Sequence, residues 1–303
     1  MDHSLNRMWS ELAQTPGMLD KTREIRFRET YRELLLRLLR LKPGMKIADI
    51  GCGPGTLTRK LALWLGTETT LIGIDRDSGM LEYARQKADA MGLKNISYLQ
   101  NDALNLELPD NSLDACISSS VLEHVEPYRF LKEQQRICKS GGVVSVISNR
   151  TDRSIYAKPE GLPEKSEREK ELWQLIEGDW EERDRKQGFV RYLLQPDEIV
   201  KIFVETGFMD IQVDGIAFQL CIDDHRNSLA EKLAIWESER QIALDGIKLG
   251  IRKLDEPLPE GYAAELEKLV EERMNQRLRL IQDGVKVWDF SITMGLIVSG
   301  VKR

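Results

Sequence analysis

The chain has 303 residues, of which 41% are hydrophobic, and a formal net charge of −6. This length and apolar content predict one large α/β domain, or a core domain with a smaller cap. The acidic balance disfavours binding along the phosphates of nucleic acid. No run of 18 apolar residues predicts a membrane span, and the first residues lack the cationic flank and apolar stretch of a signal peptide.

The four cysteines include no CxxC pair, which favours a reducing compartment and a cytoplasmic location. The three histidines are scattered along the chain, so no metal site is predicted.

The first strong pattern is at residues 21–42, where leucines recur at helical spacing between arginines. It predicts one amphipathic helix, packed on a domain with its arginines in water; the alternative is a basic helix lying on a membrane. Apolar runs then alternate with helical patterns. Strands are predicted at 45–51, 69–77, 96–102, 113–120 and 143–149, and helices at 56–66, 78–92 (capped by Asp77 or Ser78) and 126–142, which ends on glycine. This alternation predicts a parallel sheet covered on both faces.

The alternation breaks after residue 149. Helices are predicted within 166–188 and at 195–208, 225–250 and 261–283, and strands at 209–220 and 287–302. The segments 149–192 and 221–286 are much longer than ordinary connections. They are therefore expected to form a cap over one edge of the sheet.

A glycine-rich turn, IADIGCGPGTLT, directly follows the first strand at residues 47–58. A turn at this place in an open α/β sheet is where ligands bind. Its GxGxG spacing differs from the GxGxxG of dinucleotide sites, and Asp49 would repel a pyrophosphate but attract a cationic group. The turn therefore favours a ligand that carries an ammonium and a sulfonium.

Acids at the ends of the next strands extend this site. Asp75 could accept hydrogen bonds from both ribose hydroxyls, although nicotinamide enzymes use the same geometry. Asp102 and the backbone N–H of Ala103 could read the edge of an adenine. Met80 could pack against that base or lie in the helix core.

Four segments, in order, resemble the motifs of the class I S-adenosylmethionine-dependent methyltransferases, most closely the small-molecule branch with the ubiquinone-type enzymes. They read IADIGCGPGTLT, LIGIDRDSGMLEYAR, LQNDALNLELPDNSLDACISSSVLEHV and RICKSGGVVSVIS. The resemblance covers residues 40–150 well, and 190–215 and 287–303 more loosely. It implies S-adenosyl-L-methionine as the cofactor. It also implies a Rossmann-like, doubly wound, mostly parallel sheet of seven strands, with an antiparallel last strand beside the sixth.

The resemblance implies cofactor roles for the matching positions Asp49, Gly51, Cys52, Gly53, Gly55, Asp75, Arg76, Met80, Asp102, Ala103, Ser118 and Ser119. Asp49, Gly51 and Gly53 are expected to line the methionine portion, and Gly55 and Cys52 to shape the loop. Asp75 is expected to hold the ribose, Arg76 and Met80 to flank the adenine, and Asp102 and Ala103 to read its edge. The two serines are expected to lie beneath the transferable methyl group. The expected segments are an N-terminal helical segment (1–40), the cofactor-binding core (41–150), a cap insertion (151–192), the core continued (193–220), a helical cap insertion (221–286) and the terminal core strand (287–303).

His124 follows the fourth strand and is the candidate catalytic base; the alternative is a structural residue that hydrogen-bonds a loop. Glu123 and Tyr192 are candidate substrate contacts. The segment SSSVLEHV lacks the Asn/Asp-Pro-Pro-aromatic loop of base-modifying amino methyltransferases, so nucleic acid is not the expected acceptor.

The sequence predicts methyl transfer by in-line displacement to a small organic acceptor, which the helical cap selects. One alternative is a regulatory or scaffold protein that binds the cofactor without transferring methyl, and another is a nicotinamide oxidoreductase. The acceptor and the oligomeric state stay open.

Overall fold

The computed structural model describes residues 8–157, 159–177, 192, 194–252, 254 and 256–303. Contacts divide the chain into two compact units, which we call the sheet unit and the helical unit. The sheet unit comprises the described residues of Phe27–Arg153, Gly188–Phe218 and Thr293–Arg303, and the helical unit those of Met1–Arg26, Ser154–Gln187 and Gln219–Ile292.

Within the described residues, seven strands form the sheet. They are β1 (Lys46–Ile50), β2 (Thr70–Asp75), β3 (Ile96–Gln100), β4 (Leu113–Ser119), β5 (Cys138–Ala157), β6 (Met209–Cys221) and β7 (Phe290–Val301). Their order is β3-β2-β1-β4-β5-β7-β6, and β1 to β5 pair in parallel. The strand order reverses between β1 and β4, which makes the carboxyl ends of these two strands the switch point where such sheets bind ligands.

The last strand, β7, runs antiparallel to β5. Gly141 N donates to Lys302 O, and Lys302 N donates to Gly142 O, both at 2.9 Å, so the start of β5 meets the end of β7. β7 lies between β5 and β6. These observations confirm the predicted Rossmann-like sheet of seven mostly parallel strands, with an antiparallel last strand beside the sixth.

Helices cover the sheet and build the helical unit. They are α1 (Trp9–Leu12), α2 (Pro16–Arg26), α3 (Arg32–Leu38), α4 (Thr56–Leu65), α5 (Ser78–Ala90), α6 (Pro127–Ile137), α7 (Glu167–Glu177), α8 (Pro196–Thr206), α9 (Leu229–Arg252) and α10 (Tyr262–Gln282). Short 3-10 turns occur at Glu29–Tyr31 and Leu122–His124.

Local sequence signals explain where several helices begin and end. The Asp77 carboxylate accepts hydrogen bonds from Gly79 N and Met80 N, so Asp77 rather than Ser78 caps α5. α6 begins with a proline at its first position, where the missing N–H has no helical partner anyway. Gly207 follows α8 with φ +90°, a conformation that glycine adopts without steric cost.

The sheet buries both faces, as its predicted βα alternation requires. Ala48 and Ile50 point into one apolar cluster, whereas Ile47 points into the other. Neighbouring strands alternate in the same way, with Cys116 on the first face and Ile117 on the second. This two-sided burial leaves the strand ends as the place where polar groups can gather.

The prediction of one helix over residues 21–42 is wrong. α2 ends before Phe27, Arg28 is extended, and α3 begins at Arg32 after a 3-10 turn. Phe27 is 1% exposed and packs edge-on against Phe218, with ring centroids 5.8 Å apart. Burial of this ring in the core of the sheet unit therefore outweighs the local helical preference.

The prediction that the helix over 126–142 ends on glycine is also wrong. α6 ends at Ile137, and Cys138 already belongs to β5. The pairing of β4 with β5 shifts register between Leu113 and Ala115. The glycines of CKSGG therefore lie in an irregular part of strand β5 rather than at the end of a helix.

In the helical unit, α9 and α10 pack along one another and contact α7. Apolar side chains fill the space between them; they are Leu172, Trp173, Ile176, Ile247, Leu266, Val270 and Met274. Ion pairs join α7 to α10, with Arg273 on Glu169 at 3.0 Å and Arg168 on Glu265 at 2.8 Å. Within the described part of the chain, no helix combines the length and the apolar character needed to cross a membrane.

Candidate functional site

The glycine turn links β1 to α4 through three left-handed residues. Gly51, Gly53 and Gly55 have φ values of +72°, +55° and +72°. Gly51 N and Cys52 N both donate to Ile74 O, at 2.7 and 3.0 Å, which holds the turn against the end of β2. Residues with a Cβ atom are strained in this conformation, so the backbone itself requires glycine at these positions.

Protein side chains approach two of these glycines closely. A Cβ on Gly51 would lie 2.3 Å from Val121 Cγ2, and one on Gly55 would lie 2.4 Å from the hydroxyl oxygen of Tyr98. The sequence suggested that the turn is bare so that a ligand can approach. The structure adds a second reason, because Val121 and Tyr98 occupy the space that side chains at these positions would need.

Asp49 lies at the end of β1 and is 2% exposed. Its Oδ2 accepts a hydrogen bond of 2.6 Å from the hydroxyl of Thr58 on α4. Burial raises the pKa of Asp49 to about 6; the Thr58 hydrogen bond opposes this, and the nearby Asp75 charge adds to it. A buried carboxylate whose hydrogen bonds come only from the neutral groups of Thr58 would be stabilised by a cation, as the sequence analysis expected.

Asp75 ends β2 and organises the loops on either side. Its Oδ2 accepts from Gly53 N at 2.8 Å, and its Oδ1 accepts from Asp77 N at 2.9 Å. Burial is the main reason that the pKa of Asp75 is raised, with the two backbone hydrogen bonds opposing it. Each carboxylate oxygen can accept a further hydrogen bond, which leaves the capacity that two ribose hydroxyls would need.

The residues assigned to the adenine differ in exposure. Arg76 and Asp102 are exposed, and Ala103 is half-buried. Asp102 Oδ1 accepts from Leu104 N at 2.9 Å, which fixes the side chain after β3. Met80 is only 1% exposed, so it is a core residue of α5 in this structure.

Three consecutive serines lie at the carboxyl end of β4: Ser118 and Ser119 are its last residues, and Ser120 follows it. The Oγ atoms of Ser118, Ser119 and Ser120 are all buried without a partner among the described residues. Ser120 also has φ +56°, which is unusual for a residue other than glycine. Buried polar atoms are normally paired, so this cluster fits a site that a polar ligand completes.

The candidate acceptor contacts are Glu123 and Tyr192. Tyr192 N donates to Glu123 O at 3.0 Å, so the structure brings the two predicted substrate residues together. Glu123 Oε2 is buried without a hydrogen-bond partner within the described chain. His124 lies next to Glu123 in the same 3-10 turn and is half-buried.

Cys52 is buried inside the turn. Its Sγ lies 3.7 Å from Gly53 O. Burial, with the nearby charges of Asp75 and Asp49, raises the pKa of the Cys52 thiol well above its usual range. The thiol therefore stays neutral and shapes the loop, rather than acting as a nucleophile.

Sequence reasoning did not assign four residues that build this site. Thr58 holds Asp49, Val121 and Tyr98 pack against the glycines, and Ser120 extends the serine cluster. The run SSS was visible in the sequence and could have indicated Ser120. The other three depend on contacts between elements distant in the chain.

The observed residues fit the ligand that the sequence resemblance implies. Asp49 offers a buried negative charge, Asp75 retains acceptor capacity, and Ser118 to Ser120 offer unpaired hydroxyls at the switch point. A nucleoside with a cationic amino-acid end would satisfy all three groups.

Comparison with known proteins agrees with this geometry. The family model for a methyltransferase domain matches residues 48–146. A demethylmenaquinone methyltransferase of Geobacillus stearothermophilus is 26% identical over 219 residues, which cover 72% of this chain and 93% of that protein. One from Bacillus cereus is 33% identical over 117 residues, or 38% of this chain and 49% of that protein.

Solved structures share the fold. Phosphoethanolamine N-methyltransferase 2 of Haemonchus contortus aligns with a TM-score of 0.55 at 19% identity, covering 97% of this chain and 60% of that chain. A Bacillus halodurans protein described as a putative methyltransferase aligns with a TM-score of 0.50 at 16% identity, covering 90% of this chain and 99% of that one.

The domain match lies on the strands and turns that form the switch point, and the similarity to the Geobacillus enzyme extends over most of the chain. The sheet order and the ordered motifs agree with both findings. The chain carries a methyltransferase domain of the kind that uses S-adenosylmethionine as its cofactor, and residues 48–146 form it.

Proposed function

We propose that this enzyme transfers the methyl group to a small organic acceptor by in-line displacement. The observation that carries the proposal is the cluster of buried, unpaired hydroxyls at Ser118, Ser119 and Ser120, beside the glycine turn. Bound S-adenosylmethionine supplies a methyl group made electrophilic by its sulfonium. The protein then has to orient the acceptor, which can lower a barrier by roughly 7–11 kcal/mol.

Different residues of the sheet unit would bind the cofactor, contact the acceptor and remove its proton. Asp49 would hold the ammonium of the cofactor and Asp75 its ribose, while the carboxyl end of β4, with Ser118 and Ser119, would lie beneath the methyl group. Glu123 and Tyr192 would contact the acceptor. His124 would remove a proton from the acceptor where its nucleophilic atom carries one, which contributes a factor of about a hundred or more.

The first acceptor to test is a quinone. The named relatives are demethylmenaquinone methyltransferases, and one is similar over most of this chain. We propose a reduced quinone ring of this kind as the acceptor class, with no role for nucleic acid and with a cytoplasmic site of action. The net charge of −6 supports the exclusion of nucleic acid.

We assign acceptor selection to the helical unit. The methyltransferase family match ends at residue 146, and most of the helical unit follows it. Selection by segments outside the shared core would let one catalytic sheet serve different acceptors.

The test is formation of S-adenosylhomocysteine by the purified chain with a panel of acceptors. The panel contains a reduced demethylmenaquinone, simple phenols, amines and thiols. Acceptor-dependent product with the quinol supports the proposal in full, and product with another member corrects the acceptor class. Tight cofactor binding without turnover on any member would instead favour the regulatory or scaffold alternative.

A further inference from the structure

Four buried oxygen atoms without a hydrogen-bond partner among the described residues lie within six consecutive positions of the sheet unit. They are the Oγ atoms of Ser118, Ser119 and Ser120 and the Oε2 atom of Glu123. Buried polar atoms are normally paired, and each unpaired one lowers stability. Their concentration in one short segment indicates that a ligand pairs them in the working enzyme.

Contacts within the sheet unit fix this segment beside the glycine turn. Val121 lies between Ser120 and Glu123, and a Cβ on Gly51 would be only 2.3 Å from Val121 Cγ2. Ser120 N donates to Ile147 O at 2.9 Å, which ties the same segment to β5. The unpaired oxygens therefore belong to the switch point of the sheet, where the cofactor site has been described.

The chain around Tyr192 fixes Glu123 but supplies no partner for its carboxylate. Tyr192 N donates to the backbone oxygen of Glu123 at 3.0 Å, which leaves the side-chain Oε2 unpaired. Arg150 reaches Leu194 O with Nη1 at 3.5 Å, but its Nε and Nη2 are paired with Asp152 at 2.9 and 2.7 Å. The basic side chain that contacts this part of the chain is thus already engaged by another acid.

The unpaired oxygen of Glu123 differs in chemistry from the three serine hydroxyls. A hydroxyl can donate or accept a hydrogen bond, whereas an ionised carboxylate only accepts. A ligand that satisfies Glu123 must therefore present a donor, which is a hydroxyl or an amino group. A phosphate or carboxylate at the same place would be repelled and would leave Oε2 unpaired.

We propose that Glu123 sets the class of the methyl acceptor. Its carboxylate accepts a hydrogen bond from a hydroxyl or amino group of the acceptor and excludes acceptors that carry an anionic group there. This inference rests on the proposed function, which puts the acceptor next to the carboxyl end of β4. It also goes beyond the quinol, because the requirement for a donor applies to any ring system.

The test compares four probes that share one ring system, with saturating S-adenosylhomocysteine present. 2-Naphthol carries a hydroxyl donor, 2-(aminomethyl)naphthalene an ammonium, 2-methoxynaphthalene no donor and 2-naphthoate an anion. Dissociation constants are measured by ligand-observed NMR titration. The wild-type chain is expected to bind the naphthol or the amine about tenfold more tightly than the methoxy compound, and the naphthoate no better than the methoxy compound. The tighter of the two donor probes identifies the group that Glu123 recognises.

Two variants at the same position test the carboxylate itself. Glu123→Leu should lose the preference for the donor probes. Glu123→Gln should bind 2-naphthoate about tenfold more tightly than the wild-type chain, because an amide N–H can donate to a carboxylate. Neither change removes a hydrogen bond from Oε2, and unfolding in urea checks that both variants fold. Glu68→Gln is the matched control; it changes an exposed acid just before β2, at the opposite edge of the sheet, and should keep the wild-type values.

Several outcomes would overturn the proposal. They are equal binding of the donor and methoxy probes by the wild-type chain, binding of none of the probes, and an unchanged preference in Glu123→Leu. A loss of S-adenosylhomocysteine affinity in Glu123→Leu would also overturn it, because Glu123 would then bind the cofactor instead of the acceptor.

Methyl transfer separates this result from the proposed function. Turnover of an acceptor by Glu123→Leu with the wild-type KM refutes the role of Glu123 alone. Probe binding that depends on Glu123, without formation of S-adenosylhomocysteine from S-adenosylmethionine with any acceptor, refutes the proposed function alone.

Discussion

Replacing Asp49 by asparagine is expected to stabilise the protein and to weaken cofactor binding at the same time. Burial raises the pKa of Asp49 from 3.8 to about 6. An acid with a raised pKa binds its proton more tightly in the folded state than in the unfolded state. Its ionisation therefore reduces stability as pH rises from about 4 to about 6, and the loss is complete above that range.

The size of the effect follows from the shift. At 1.36 kcal/mol per pKa unit, the ionised carboxylate costs about 3 kcal/mol at pH 7.5 and about 1 kcal/mol at pH 4.5. Asp49→Asn removes this cost, because an amide can still accept the hydrogen bond from Thr58. The free energy of unfolding in urea, measured at both pH values, should rise by up to these amounts.

Cofactor affinity should change in the opposite direction. Losing an ionised partner for the cofactor ammonium is expected to cost about 1.5–3 kcal/mol, or roughly ten- to a hundredfold in Kd. Wild-type affinity should fall below pH 6 as Asp49 gains its proton, and the affinity of Asp49→Asn should lack this dependence. Asp114→Asn is the control; it removes an exposed pair with Lys139 and should not stabilise the protein. A stability gain that is absent, or the same at both pH values, would refute the reasoning.

Three further substitutions test the site. Gly51→Ala places a Cβ atom 2.3 Å from Val121 Cγ2, on a residue with φ +72°. This substitution should lower the free energy of unfolding by about 2–5 kcal/mol, and adding Val121→Ala should recover part of the loss. Wild-type stability in the Gly51→Ala variant would contradict the geometry. Asp75→Ala should weaken cofactor binding by about 1–3 kcal/mol in calorimetry, and an unchanged affinity counts against the ribose assignment. His124→Ala should lower turnover much more than cofactor affinity; if both stay near wild type, His124 is structural.

Much of the sheet was accessible from the sequence, because strands buried on both faces leave continuous apolar runs between helical patterns. The ordered motifs then supplied the position of the antiparallel last strand, which periodicity alone does not give. The glycine turn and Asp49 were identified from their place after the first strand, since that place has a defined position in such sheets.

The errors arose where distant contacts decide the local structure. The helix over 21–42 is interrupted because Phe27 packs against Phe218, almost two hundred residues away in sequence. Val121 lies over Gly51 only because β1 and β4 are neighbours in the sheet. Residue spacing does not encode such pairings, so neither feature could be read from periodicity.

The helical unit shows the same limit for polar groups. Asp223 and Arg277 are 54 positions apart, and neither lies in a motif, yet the fold buries them together. The sequence indicated a helical cap, but not that its interior holds charged side chains.

The most direct test of the account is calorimetric titration of the purified chain with S-adenosylhomocysteine. We expect one molecule bound per chain, with clearly weaker binding in both Asp49→Asn and Asp75→Ala. A folded wild-type chain that gives no binding heat and no thermal shift would contradict the cofactor site and the chemistry that depends on it.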